Sequence, residues 1–235
     1  MQLERILQKH GFGTRKDCRA LVRHERVAVN GFPCDDPFAE IATDGLVFTV
    51  DGVEWPYVEF ASLMLNKPAG YECSRKPQHH PSVLTLLPVQ LRERDVQPIG
   101  RLDEDTTGLL LITDDGQLNH VLSSAKRKVP KVYLATTRHP IDQTQVDHLL
   151  AGVQLHDEPE PVAAAACEIA GPNQLRLTLT SGKYHQVKRM IAAAGNRVDA
   201  LHREAVGELA MPDDLKPGQW RWLTAVDLEK LGYSR

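Results

Sequence analysis

A polar loop that runs straight into an apolar strand is the strongest structural constraint in this chain. Residues 100–116 read Gly-Arg-Leu-Asp-Glu-Asp-Thr-Thr-Gly-Leu-Leu-Leu-Ile-Thr-Asp-Asp-Gly. Leu109 to Ile112 are all apolar and read as a strand, and Asp114-Asp115-Gly116 reads as the turn that closes it. Arg101, Asp103, Glu104 and Asp105 crowd into five residues just before it. Ordering that much charge in a short loop is costly, so the loop is expected to have a function. An Arg101–Asp103 surface pair alone would contribute well under about 1 kcal/mol.

The rest of the chain sets the class. Of the 235 residues, 42% are hydrophobic and 25% charged, which fits a soluble protein with one large domain or a small and a medium one. No stretch approaches the roughly 20 apolar residues of a membrane span. The start, Met1-Gln2-Leu3-Glu4-Arg5, lacks the apolar core of a secretory leader, so a cytoplasmic protein is expected. Cys18, Cys34, Cys73 and Cys167 form no Cys-x-x-Cys pair, which argues against a zinc site or a disulfide framework. His79-His80 sits in a Pro-flanked loop with no Cys or acid near it, and no metal site is expected there.

The net charge of −3 conceals an uneven distribution. Residues 1–31 hold seven basic side chains (Arg5, Lys9, Arg15, Lys16, Arg19, Arg23, Arg26) against three acids. Residues 117–140 hold five (Lys126, Arg127, Lys128, Lys131, Arg138) and no acid. Two locally basic segments in an acidic chain suggest a directed footprint for a polyanion.

Two textures follow one another along the chain. Leu3, Ile6 and Leu7 recur at helical spacing, and Gly11-Phe12-Gly13 stops that helix. Thr14 reads as an N-cap, with Asp17 as an imperfect capping box, and Cys18, Leu21 and Val22 form the apolar stripe of a second helix. Val27 to Val29 reads as a strand ending in the Asn30-Gly31 turn, and Leu46 to Val50 as another before Asp51-Gly52. Trp55-Pro56 is expected to interrupt any regular element, which places a boundary between residues 1–58 and 59–235. Beyond it, the runs 60–65, 109–113, 132–136 and 175–180 read as strands between shorter helical patterns, an α+β arrangement.

Three further segments carry chemical side chains. Ser62 to Gly70 reads as a strand entering a turn that presents Lys67, since Pro68 ends strand pairing. In Lys131-Val132-Tyr133-Leu134-Ala135, alternation puts Lys131 and Tyr133 on one face. From Tyr184 to Gly195 the pattern is helical: Val187, Met190, Ile191 and Ala194 share an apolar face, and His185, Lys188 and Arg189 share another.

Taken together, Gly100-Arg101-Leu102-Asp103, Leu65-Asn66-Lys67-Pro68-Ala69-Gly70, Tyr133 and Gly182-Lys183-Tyr184-His185-Gln186-Val187-Lys188-Arg189-Met190 resemble the motifs of the RsuA/RluB/RluE/RluF family of pseudouridine synthases. Residues 105–109 and 184–190 look most like the RsuA branch, which acts on small-subunit ribosomal RNA. Residues 1–50 resemble the alpha-L RNA-binding domain first known from ribosomal protein S-four. The resemblance implies an alpha-L domain followed by a mixed-sheet catalytic domain, and isomerisation of a uridine within ribosomal RNA. The target implied is 16S rRNA, with 23S rRNA as the alternative. It implies that Asp103 is the catalytic residue and that Tyr133 stacks on an extruded base. Lys188 pairs with the Asp, with Arg189 as fallback. Arg101, Lys67, Arg189 and His185 are implied to border the substrate. RNA contacts are expected from Arg15, Lys16, Arg19, Arg23, Lys126, Arg127 and Lys128. The reaction is redox-neutral, so no metal or cofactor is expected, and a monomer working on ribosomal RNA or an assembling subunit is the expected state. Two rivals remain: a catalytically silent RNA-binding assembly factor, and a glycoside hydrolase with Asp103 and Asp105 as its acid pair.

Overall fold

A computed structural model describes residues 1–234 as two units. The first comprises residues 1–61 and 87–97, the second residues 62–86 and those from 98 onward.

In the first unit, α1 (Leu3–Lys9) and α2 (Arg15–Arg23) bury Leu3, Ile6, Leu7, Cys18 and Val22. The Thr14 side chain accepts from the Asp17 N–H, and the Asp17 carboxylate accepts from the Thr14 N–H at 2.9 Å, so the capping box is complete. The Asn30-Gly31 turn joins β1 (Val27–Val29) to β2 (Phe32–Pro33). Both turn residues take left-handed φ values of 49° and 85°, as a type I′ hairpin requires. Asp51-Gly52 joins β3 (Val47–Val50) to β4 (Val53–Pro56) in the same way. The sheet order is β2-β1-β3-β4. Trp55-Pro56 therefore does not interrupt the structure: β4 is an edge strand, where a proline's missing N–H costs no ladder bond.

The helix α3 (Val89–Glu93) belongs to this unit. Leu91 is fully buried, and the Arg94 guanidinium donates to the carbonyls of Val58 and Glu59 at 3.4 and 3.2 Å. No local pattern in the sequence signals this return of residues 87–97.

The second unit is built on a mixed sheet. Its strands are β5 (Ser62–Lys67), β7 (Thr107–Thr113), β8 (Lys131–Thr137), β9 (Ala166–Gly171), β10 (Gln174–Leu179), β11 (Val198–Val206), β12 (Leu209–Ala210) and β13 (Trp220–Trp222). The short β6 (Gln97–Pro98) lies where the chain passes from one unit to the other. The main path runs β13-β5-β7-β11-β8-β10-β9, with β12 beside β11. Only the β7–β11 pair along that path is parallel. The helices are α4 (Gly116–Ser123), α5 (Gln143–Ala151), α6 (Gln186–Ala193) and α7 (Ala225–Lys230).

Among the described residues, two apolar clusters contribute to the core of this unit. Val146 and Leu149 of α5 pack with Val187, Met190 and Ile191 of α6 against Leu175, Leu177 and Leu201. Leu118 and Leu122 of α4 pack with Leu109 and Leu111 of β7 and with Val206 and Tyr233. Asp114-Asp115-Gly116 is the start of a helix, not a free turn: the Asp115 side chain caps α4 by accepting from the Gln117 N–H at 2.9 Å.

Candidate active site

The ends of four elements bring the site together within the second unit. Lys67 ends β5, the loop of residues 100–106 precedes β7, Tyr133 lies on β8, and the segment 181–188 leads into α6. Asp103 stands between two of these. Its Oδ1 lies 3.2 Å from His185 Nε2 and its Oδ2 lies 3.2 Å from Lys188 Nζ. Lys188 also donates to Asp105 at 2.6 and 2.9 Å. Burial disfavours the Lys188 charge, but its bonds to Asp105 and Asp103 outweigh that and raise its pKa above the ordinary lysine range. Arg101 is not paired with Asp103; it is exposed on the cavity wall.

Lys67 does not line the cavity. It is 0% exposed, and its ammonium donates to the carbonyls of Pro68, Asp103, Glu104 and Thr106 at 3.1, 3.0, 3.1 and 2.8 Å. The expected exposed lysine is thus an internal cation around which the Asp103 loop is wound. Burial lowers its pKa below the ordinary lysine value. A further bond, from the Gly70 N–H to the Glu104 carbonyl at 2.7 Å, ties the same loop to the turn after β5.

His185 is not on a helical face with Lys188 and Arg189. It precedes α6 as its N-cap, with a left-handed backbone at φ 46° and ψ 35°. That conformation turns its ring onto Tyr184, stacked at 3.8 Å between centroids, and toward Asp103. Gln186 anchors the segment: its side-chain carbonyl accepts from the Lys183 N–H at 2.9 Å, and its amide donates to Ser181 Oγ at 2.8 Å. Arg189 points elsewhere, pairing with Asp157 and donating to the Tyr184 carbonyl at 3.0 Å. Lys188, the first choice, thus meets Asp103, while Arg189, the fallback, neither meets it nor lines the cavity described below.

A cavity of about 850 Å³ opens over Asp103, within the range that accommodates a nucleotide. Arg101, Tyr133, His185 and Lys188 line it. The segment 72–80 forms another wall. Glu72 holds that wall by accepting from the backbone N–H groups of Gln78, His79 and His80 at 2.7–3.0 Å, which pull its carboxyl down to about 2. Lys126, Arg127 and Lys128 are exposed and directly follow Ser123 to Ala125 on the cavity rim. In the first unit, Arg15, Lys16 and Arg23 are exposed on α2, whereas Arg19 is paired with Glu4. Lys131 and Arg203 also line the cavity. Alternation with Tyr133 was a signal for Lys131, and Arg203 lies in the run Leu201 to Gly207, whose sequence also fits the family pattern.

The family described as RNA pseudouridylate synthase matches residues 61–193, more than half of the chain. The chain belongs to the RNA pseudouridylate synthase family. It is thus an isomerase with the mixed-sheet α+β fold of these synthases. Relatives are similar over most or all of their length. A protein of Yersinia pestis named ribosomal small subunit pseudouridine synthase A is 44% identical over 169 residues, covering 72% of each chain. One of the same name from Vibrio parahaemolyticus is 36% identical over 240 residues, covering 98% of this chain and 99% of the relative. A crystal structure described as pseudouridylate synthase superposes with a TM-score of 0.70 at 33% identity, over 98% of this chain and 99% of that one.

Proposed function

We propose that this synthase isomerises one uridine of 16S ribosomal RNA, with Asp103 at the reacting centre. The supporting observation is that Asp103 lines a nucleotide-sized cavity, between Lys188 and His185, which Tyr133 also lines. The small-subunit target is supported by the names of the full-length relatives. In the reaction the C1′–N1 bond breaks, the uracil turns, and a C1′–C5 bond forms; C5 loses a proton and N1 gains one, so atoms and electrons balance without a redox partner. Asp103 supplies the nucleophile or base, and Lys188 holds and orients its carboxylate. Tyr133 replaces the stacking that an extruded base loses, worth roughly 1–3 kcal/mol. Arg101 and His185 border the nucleotide. The first unit, read as an alpha-L domain, anchors the RNA through Arg15, Lys16 and Arg23, with Lys126, Arg127 and Lys128 contributing at the cavity rim. The enzyme works as a monomer in the cytoplasm.

Pseudouridine mapping on 16S and 23S rRNA, as naked RNA and as assembling subunits, tests this reading. One new site in 16S rRNA is expected with wild-type protein. Asp103→Asn is expected to bind the RNA and leave that site unmodified. A site in 23S rRNA alone would move the target, and no site in any substrate would overturn the enzymatic assignment.

A further inference from the structure

The cavity lining carries two cations that the chemistry at Asp103 does not use. Lys131 and Tyr133 stand two residues apart on β8, and Arg203 on β11 is paired in register with Tyr133. All three side chains line the cavity. Arg203 is only 2% exposed; its Nε donates to the Leu109 carbonyl at 2.7 Å. Lys131 Nζ donates to the Val129 carbonyl at 3.1 Å. Among the described residues neither cation is paired with a carboxylate. Burial, and then the like charge of Arg203, lower the Lys131 pKa below the ordinary lysine range. A buried guanidinium and a half-buried ammonium, like charges with one carbonyl each, are costly to keep together unless an anion completes the site.

We propose that Lys131 and Arg203 form a phosphate subsite for the nucleotide whose base enters the cavity, an assignment that rests on the synthase reading above. A neutral uracil carbonyl would accept a hydrogen bond yet leave both charges uncompensated. A phosphodiester supplies the missing charge, and its two free oxygens suit a planar guanidinium beside an ammonium. Binding a phosphate there fixes the sugar that follows it, which presents C1′ to Asp103 and the base to Tyr133.

Calorimetric titration of the full-length protein at low salt with uridine, uridine 5′-monophosphate and uridine 3′-monophosphate tests the subsite. At least one monophosphate is expected to bind about tenfold or more tightly than uridine. In Lys131→Met that preference is expected to shrink to about threefold or less, since a Lys–phosphate contact is lost while the aliphatic stem is kept. Equal affinities in wild type, or no binding by any of the three, would overturn the subsite without recourse to any variant. Full retention of the preference in a folded Lys131→Met would also overturn it. Pseudouridine mapping with wild-type protein reports on the enzymatic reading separately: selective monophosphate binding without pseudouridine formation would leave the subsite standing and remove that reading.

Discussion

Four carbonyl groups converge on the Lys67 ammonium, and three of them belong to residues 36 to 39 positions away, in the loop that carries Asp103. Lys67→Met would leave these buried acceptors unsatisfied. The expected loss is about 3–5 kcal/mol, and for a domain of this size each kcal/mol lowers Tm by about 2–4 °C. Thermal unfolding checks this; an unchanged Tm with weakened RNA binding would instead mean a lysine that meets substrate. The residue type was legible in the sequence and its role was not, because Lys before Pro reads locally as an exposed turn. His185 has the same history. Its spacing fits a helical face, yet the bonds of Gln186 to Ser181 and Lys183 hold it one residue outside the helix, in a left-handed conformation.

Elements with a strong local signal formed as read: the capped α2, the Asn30-Gly31 hairpin and the apolar face of α6. The nine-residue β11 did not stand out. Its sequence barely alternates, and its conformation comes from ladders on both sides, to β7 and β8. At the end of α1, tertiary context changes a titration. His10 is 1% exposed, its Nδ1 bonds to the Ile6 carbonyl at 2.8 Å, and its Nε2 accepts from the Val58 N–H at 3.1 Å, so the ring is neutral with its proton on Nδ1. Burial lowers its pKa from 6.5 to about 4. As pH falls, the unfolded chain takes up the proton before the folded one. This contribution is therefore complete above about pH 6.5 and is lost between 6.5 and 4, by up to roughly 3 kcal/mol. Urea unfolding of a Trp220→Phe, Trp222→Phe full-length protein, followed between pH 8 and 4.5 by the fluorescence of Trp55, should show that loss. In His10→Gln the curve should be lower at pH 8 and flatter below it. An equally steep decline in the variant would assign the effect to other groups.

At the scale of the whole molecule, charge and chain path matter more than pattern. Arg19 and Arg26 are spent on Glu4 and Asp51. Arg15, Lys16 and Arg23 are therefore expected to carry the RNA contacts of the first unit. Their joint replacement by Gln should weaken binding to about the same degree across RNA sequences and flatten the salt dependence by about two to three units of slope. An unchanged slope would remove α2 from the interface. The chain path yields a second expectation. Cutting the protein before residue 62 keeps residues 87–97 but removes the unit in which they fold, exposing Leu87, Leu91 and Val96. Such a fragment should aggregate, as sedimentation would show, and replacing residues 87–97 by a Gly-Ser linker should restore solubility. A soluble, monomeric fragment with residues 87–97 intact would contradict this.

From its sequence alone this protein has its family, its α+β class, its capped helices and turns, and the identity of Asp103, Tyr133 and Lys188 as candidates. These rest on local order: short spacings, turn residues and motifs whose members lie within a few positions of one another. Only the tertiary structure decides that Lys67 is buried scaffolding, that Lys188 and not Arg189 meets Asp103, that residues 87–97 fold with the first unit, and that Lys131 and Arg203 line one cavity. Each of these depends on partners that are distant in the chain or on the direction in which a backbone turns. Long-range pairing and desolvation, which no local spacing encodes, set them.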